Sequence, residues 1–314
     1  MASSKYLVTG GAGFIGSNLV EALLTLGHCV AVLDNFSTGR RENLAAFIND
    51  IELHEGDLRD ASAVAKAVKG CEFILHQGAL PSVPRSVADP MASNEVNVTG
   101  TLNILMAARN AGVQRVVAAS SSSVYGNTPT LPKVETMPVL PMSPYAVSKL
   151  ATEKYLAAFY HVYGLETVAL RYFNIFGPRQ DPASQYSAVI PKFITAIRKG
   201  EQPIMHGDGL QSRDFTYVDN AVEANLLACH AEGAAGEFFN IACGDRFTLL
   251  DTLDGINKQL NTTVEPIHEP SRPGDVKHSL ADISKAKKIL GYSVVTPFNK
   301  GLEKTVAYFT RMNA

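Results

Sequence analysis

The segment SPYAVSK, residues 143 to 149, sets Tyr145 four residues ahead of Lys149, which places a phenol and an ammonium one turn apart on one face of a helix. Of the 11 tyrosines in the chain, only Tyr145 has a lysine at this spacing. A phenol ordinarily ionises at about pH 10 and is a poor base at neutral pH. An ammonium beside it, a helix N-terminus beneath it and a cationic ring against it all favour the phenolate, which would then accept a proton from an alcohol. Spacing alone does not separate that chemistry from an ordinary helix surface. Its weight comes from two upstream stretches, the serine run Ser120 to Ser123 in VVAASSSSVYG and the glycine-rich VTGGAGFIGSN from Val8 to Asn18. The serines offer a hydroxyl that orients or relays a proton, and the glycines offer a bed for phosphate.

These groups need elements to hold them. Ser143 is a good N-cap and Pro144 suits the first helical turn, so the helix over 144–163 begins just before Tyr145. Val147, Leu150, Ala151 and Ala158 form a neighbouring apolar stripe for packing on a sheet or a partner. Short β-rich runs (KYLVTG, CVAVLD, IELHEGD, EFILHQGA, RVVAASS, TVALRY) alternate with helical periodicity over 14–27, 61–68, 94–111 and 144–163. That alternation predicts an α/β fold with a parallel sheet covered on both faces.

VTGGAGFIGSN follows the first strand and opens a helix, the context of a dinucleotide-binding turn in a doubly wound Rossmann sheet. Gly11, Gly13 and Gly16 satisfy one glycine template, and Gly10, Gly13 and Gly16 a wider one. Either lets the backbone approach a pyrophosphate at a helix N-terminus. Asp34, ending the second strand, is placed to accept from ribose hydroxyls and would repel a 2′-phosphate, so NAD is expected rather than NADP. Arg40 and Arg41 nearby read as solvated surface. Asp57 ends the third strand, where it serves either the adenine or the cap of the next helix.

A break in spacing near residue 175 divides the chain into a dinucleotide-binding domain over 1–174, which a later segment near 214–242 rejoins, and a smaller lobe mainly over 175–314. A net charge of -2 leaves no basic surplus for a phosphate backbone, which argues against nucleic acid. Cys29, Cys71, Cys229 and Cys243 lack disulfide or metal spacing. No leader or membrane-spanning run is evident, so a cytoplasmic protein with no metal is expected.

Taken together, the glycine turn, the serine strand end and the Tyr-x-x-x-Lys pair resemble the extended short-chain dehydrogenase/reductase family. Within it the chain is similar to UDP-sugar 4-epimerases nearly end to end, through LDNFSTG, EGDLRD, HQGALPSVPRS, NVTGTLNIL, LRYFNIFGPRQ, GDGLQSRDFTYVDN and RPGDVKHSLADISKAKKILGY. The resemblance implies that Ser121, Tyr145 and Lys149 are catalytic. It places around NAD Gly10, Gly13, Phe14, Ile15, Gly16, Asp34, Asn35, Ser37, Gly39, Asp57, Leu58, Gln77, Ala79, Asn97, Tyr145, Lys149 and Tyr172. Around a UDP-sugar it places Ser82, Ser121, Ser122, Tyr145, Asn174, Val189, Arg213, Arg272, Asp275 and Ser279. It further implies a homodimer built as a four-helix bundle from the helices at 94–111 and 144–163.

Ser279 falls where relatives restricted to small sugars carry a tyrosine, and the residues after Ala79 are similar to the branch handling N-acetylated sugars. The expected substrates are UDP-GlcNAc and UDP-GalNAc, with UDP-glucose and UDP-galactose as a second pair. Ser122 and Ser123 stand where a 4,6-dehydratase needs an acid pair, which disfavours dehydration. A UDP-glucuronate or UDP-N-acetylglucosaminuronate 4-epimerase or decarboxylase stays open, with Arg85 or Arg179 for the carboxylate. A non-catalytic NAD-binding sensor is the alternative of another class.

Overall fold

The computed structural model describes residues 3–182, 189–270 and 277–311. Six strands, β1 (Lys5–Thr9), β2 (Cys29–Asp34), β3 (Ile51–Glu55), β4 (Phe73–His76), β5 (Arg115–Ser121) and β6 (Glu166–Tyr172), join the strand Phe238–Ile241 in one sheet. Its order is Phe238–Ile241, β6, β5, β4, β1, β2, β3, and every pairing is parallel. The expected α/β doubly wound sheet is thus present. Chain order reverses between β1 and β4, which opens a crevice at their carboxyl ends.

Strand periodicity explains how both faces are covered. Tyr6 and Val8 on β1 and Val30 and Val32 on β2 face one way, against Leu19, Val20 and Leu23 of α1 (Phe14–Thr25) and against Ala221, Ala224 and Ala228 of the helix Val218–His230. Leu7, Ala31 and Leu33 face the other way, against α2 (Ala61–Val68), and Ile104, Leu105, Leu156 and Phe159 continue that core beneath the later helices. A separate core is built around Phe176, Phe193, Phe215, Ile256, Phe298 and Phe309, from the helices Val189–Arg198, Leu249–Leu260 and Phe298–Arg311.

Two departures from the sequence pattern bear on the site. Where one helix over 94–111 is expected, short helices α3 (Val83–Ala88) and α4 (Pro90–Asn94) lead into a π-helical turn, Glu95–Thr99, before α5 (Gly100–Ala111). The turn rotates Asn97 inward, where its side chain accepts from Leu80 N at 2.7 Å and donates to Ser148 Oγ at 3.0 Å. On α6 (Pro144–Tyr163) the buried side is Ala146, Ser148, Lys149, Thr152, Glu153, Leu156 and Phe159. Val147 is 52% exposed and Ala158 is exposed, while Leu150 of the same stripe packs against the core, so the stripe is split and a largely polar set points inward.

Candidate active site

The glycine turn fits a dinucleotide by its backbone. Gly10 is left-handed, with φ of 66°, and a Cβ there would stand 2.8 Å from Gly78. A Cβ on Gly16 would stand 2.1 Å from the Gly10 carbonyl oxygen, so only glycine lets α1 start this close to the turn. Gly11 packs instead under Val32, where a Cβ would come within 2.6 Å. The wider template, Gly10, Gly13 and Gly16, is therefore the one that lines the crevice. Gly13 occupies the N-cap of α1 without a side chain, leaving the first N–H groups free for an anion.

Asp34 lies buried at the end of β2, accepting from Ala12 N at 2.9 Å and Phe36 N at 2.8 Å. Burial pushes its carboxyl up, and these two bonds pull it back. Asp57 is held well below the usual carboxylate range by Arg59, with Asn35 donating to it at 2.8 Å. The cap of α2 is Asp60, which accepts from Ser62 N and Ala63 N, so Asp57 does not fill the capping alternative. Arg41 pairs with Glu55 at 2.7 Å. Arg40 is not simply solvated surface, because it lines the crevice and pairs with Asp181 at 2.7 Å.

At the other end of the same crevice the carboxyl end of β5 meets the first turns of α6. Ser143 Oγ caps α6 by accepting from Ala146 N at 3.2 Å, and Tyr145 N donates to Ser86 Oγ at 3.0 Å. The Tyr145 phenol hydrogen-bonds Ser121, while Lys149 Nζ donates to the Ala119 carbonyl at 2.9 Å. Burial pushes the phenol up and the Ser121 bond pulls it down. Desolvation therefore outweighs the lowering expected from the helix N-terminus and the ammonium. Burial also brings Lys149 down to about 8, against the upward pull of Glu153.

The crevice, about 820 Å³, is lined by Gly10, Gly13, Phe14, Ile15, Gly16, Asp34, Asn35, Ser37, Gly39, Asp57, Leu58, Gln77, Ala79, Ser82, Ser121, Tyr145, Lys149, Tyr172 and Asn174. Tyr172 and Gln77 are mutually bonded at 3.3 Å, and both reach Asn225. Other expected residues are not among those lining it. Asn97 holds the backbone of Leu80, and Ser122 starts a tight turn over Ser122–Tyr125. Val189 opens the helix Val189–Arg198, and Arg213 donates to the carbonyls of Ser212 and Lys277. Ser279 Oγ accepts from Asn174 Nδ2 at 3.1 Å and from Asp214 N at 3.3 Å, so it positions Asn174. Arg272 and Asp275 lie outside the described residues.

Gln180, which no motif marks, also lines the crevice, together with Ser120 of the serine run and with Arg85 and Arg179, the two arginines expected for a carboxylate. Arg179 pairs with Glu21 on α1, whereas Arg85 sits one residue before Ser86, which contacts Tyr145.

The sequence matches the NAD dependent epimerase/dehydratase family over residues 6–242. The chain belongs to that family. It is therefore an NAD-dependent enzyme, and the glycine cradle with Asp34 and Lys149 suits that cofactor. A UDP-glucose 4-epimerase of Mycolicibacterium smegmatis is 39% identical over 97% of this chain and 98% of its own length. Among solved structures, a UDP-N-acetylglucosamine 4-epimerase from Methanobrevibacter ruminantium, in complex with UDP-N-acetylmuramic acid, is 41% identical with a TM-score of 0.95, covering 99% of this chain and 100% of its own. A UDP-glucose 4-epimerase of Thermus thermophilus in complex with NAD is 37% identical with a TM-score of 0.88, covering 98% and 99%. The family's epimerases share the parallel sheet described above. Among the described residues, no helix is long and apolar enough to cross a membrane.

Replacing Gly16 by Ala puts a Cβ where the Gly10 carbonyl stands. At an overpacking cost of about 1–3 kcal/mol, calorimetric titration of the cofactor-free variant is expected to give about five- to 150-fold weaker NAD binding. Unchanged affinity would show that Gly16 does not set the approach of the cofactor.

Proposed function

We propose that this chain inverts C4 of UDP-hexoses, with UDP-GlcNAc and UDP-GalNAc as the principal pair and UDP-glucose and UDP-galactose as a second. The observation that carries the reading is the Tyr145 phenol on the Ser121 hydroxyl, with Lys149 one turn on, at one end of a crevice whose other end is the glycine cradle. Tyr145, as phenolate, takes the proton of the sugar 4-hydroxyl. Ser121 holds the O4 oxygen and keeps the phenol aimed at it. Lys149, as ammonium, favours the phenolate and holds the nicotinamide ribose. NAD, when bound, accepts hydride from C4 and returns it. Inversion requires the 4-keto sugar to turn over between these transfers while Tyr145 and Ser121 go on serving O4.

The remaining residues divide the substrate between them. Asn174 is proposed for the diphosphate, with Arg213, Arg272 and Asp275 toward the uridine, and Ser82 and Ser122 toward the sugar. Val189 is proposed beside the nucleotide. Asn174 is held in left-handed backbone, with φ of 40°, by bonds to Asp214 O and Ser279 Oγ. Ser279 thus acts on selectivity in two ways, by leaving volume for a 2-acetamido group and by holding Asn174. A second reading, a uronate 4-epimerase or decarboxylase, draws on Arg85, which lines the crevice near Tyr145.

The dimer is proposed through α5 and α6. Val147, Tyr155 and Val162 on α6 and Met106 on α5 are exposed large apolar residues, and the α6 set recurs at helical spacing beside Ala151 and Ala158. Sedimentation should give twice the 33.7 kDa chain mass, and Val162→Arg should shift the protein toward monomer. A monomeric parent protein would remove this interface.

Incubation with UDP-GlcNAc, UDP-glucose and UDP-glucuronate separately, with NMR of the product at C4, ranks the substrates. Conversion of UDP-glucuronate alone would favour the second reading. Tyr145→Phe should lose about 10²–10⁴-fold in turnover while retaining NAD. Turnover at the parent rate in that variant would reject Tyr145 as the base, and a parent protein that binds NAD but converts none of the sugars would point to a sensor. Ser279→Tyr should cost the acetylated pair at least about tenfold more than the plain pair. Equal losses on both pairs would sink this account of selectivity.

A further inference from the structure

Glu153 stands one turn beyond Lys149 on the buried side of α6 and does not line the crevice. It is 4% exposed, and its carboxylate is fully engaged. Arg171 of β6 donates to it twice, Nε at 2.8 Å and Nη2 at 2.7 Å, and Ser120 Oγ of β5 donates to the same oxygen that accepts Nε. Ser120 lies between Ala119, whose carbonyl takes the Lys149 ammonium, and Ser121, which takes the Tyr145 phenol. Residues 145, 149 and 153 of α6 thus grip three consecutive positions of β5.

We propose that Glu153 is a positioning residue for the reaction, which locks α6 to β5 and β6 and supplies the buried negative charge that keeps Lys149 an ammonium beside Tyr145. This rests on the reading of Tyr145 and Lys149 as the proton-transfer pair. The other ionisable groups on elements packed against α6 do not supply that charge. His76 on β4 is bonded to Thr9 and Thr101, and burial holds it neutral with its pKa down to about 3. Arg171 on β6 and Arg85 on α3 carry the same sign as Lys149. Tyr125, in the turn after β5, is pushed up by burial and donates to Asn240. Glu95 on the π-turn interacts with Arg59, Arg115 at the far end of β5 pairs with Glu166, and Arg109 on α5 lies over the Tyr163 ring at the last turn of α6. Among the described residues on these elements, the carboxylate nearest Lys149 in the helix, and the one whose charge pulls its ammonium up, is Glu153.

The test is Glu153→Gln, which keeps the shape and an oxygen for Ser120 but removes the charge. Without it the ammonium is lost at lower pH, so the alkaline fall in kcat should begin about one pH unit earlier than in the parent. Direct titration of Lys149 by its ¹³Cε NMR signal in the cofactor-free protein should move the same way. Glu153→Asp should restore both toward the parent. Because Glu153→Gln leaves Arg171 buried without its counter-charge, that variant is prone to misfold. Glu153→Gln with Arg171→Met removes both charges, and Met suits the Phe238 and Tyr125 rings on which the guanidinium now rests at 4.1 and 4.8 Å. This double variant should fold and show the earlier alkaline fall in smaller measure, because it also removes the like charge of Arg171. A folded variant of either kind with the parent pH profile and Lys149 titration would overturn the proposal. If Tyr145→Phe abolishes turnover while this shift is absent, only the role of Glu153 fails; if Tyr145→Phe stays active, the reading beneath it fails.

Discussion

Helix α6 holds strand β5 through polar bonds at three successive strand positions, Lys149 on the Ala119 carbonyl, Glu153 with the Ser120 hydroxyl and Tyr145 with Ser121. A helix laid on a sheet by apolar contacts alone can settle in several nearly equal positions, because such contacts have no direction. The proton transfer proposed for Tyr145 would tolerate little of that freedom, since a base must lie within hydrogen-bond reach of the proton it takes. Directional bonds therefore replace apolar packing on the half of α6 nearest the crevice. The apolar contacts of Leu156 and Phe159 take over further along the helix. The arrangement has a cost, because a lysine, a glutamate and an arginine all leave water. The bidentate Glu153–Arg171 pair offsets part of it, as a buried ion pair does only with this quality of geometry.

The opposite end of the crevice solves a different problem with different residues. A pyrophosphate needs many N–H donors at close range, and side chains get in their way. The backbone of the glycine turn meets that need by having no Cβ at Gly10, Gly13 and Gly16. Asp34 then ties the turn to β2 through Ala12 N, which makes the carboxylate a part of the scaffold as well as a candidate ribose acceptor. Both ends hang on the carboxyl edge of one parallel sheet. The rigidity of β1, β4 and β5 sets how far the glycine cradle lies from Tyr145.

Motifs were readable where a residue type is required by its own local geometry. The glycines, the Ser143–Pro144 helix start and the alternation of strands and helices all belong to that class, and they appear where the pattern puts them apart from the broken helix over 94–111. Less readable were features defined by long-range partners. The inward turn of Asn97 depends on Leu80 and Ser148, which no helical periodicity announces. The buried side of α6 ran against hydrophobic patterning, because its polar residues are satisfied by β5 and β6 rather than by water. Glu153 was available in the sequence as a carboxylate four residues after Lys149, but its meaning required Arg171 and Ser120. The small volume of Ser279 is visible in the sequence, whereas its second property, the bond to Asn174, comes only from the fold.

Burial of Tyr145 raises its pKa, which at first sight opposes its use as a base. The same burial lowers the local dielectric, and a nearby positive charge acts more strongly there than it would in water. A phenol in this position is therefore poorly ionised by its surroundings alone and responds strongly to any cation brought against it. Lys149, one turn along α6 and itself brought down to about 8 by burial, is the cation proposed for that role. An oxidised nicotinamide bound against Tyr145 would be a second, with its positive charge present only in the state that can take hydride. In the proposed role of Tyr145 as base, such a ring would favour the phenolate while it is oxidised and would cease to do so once neutralised.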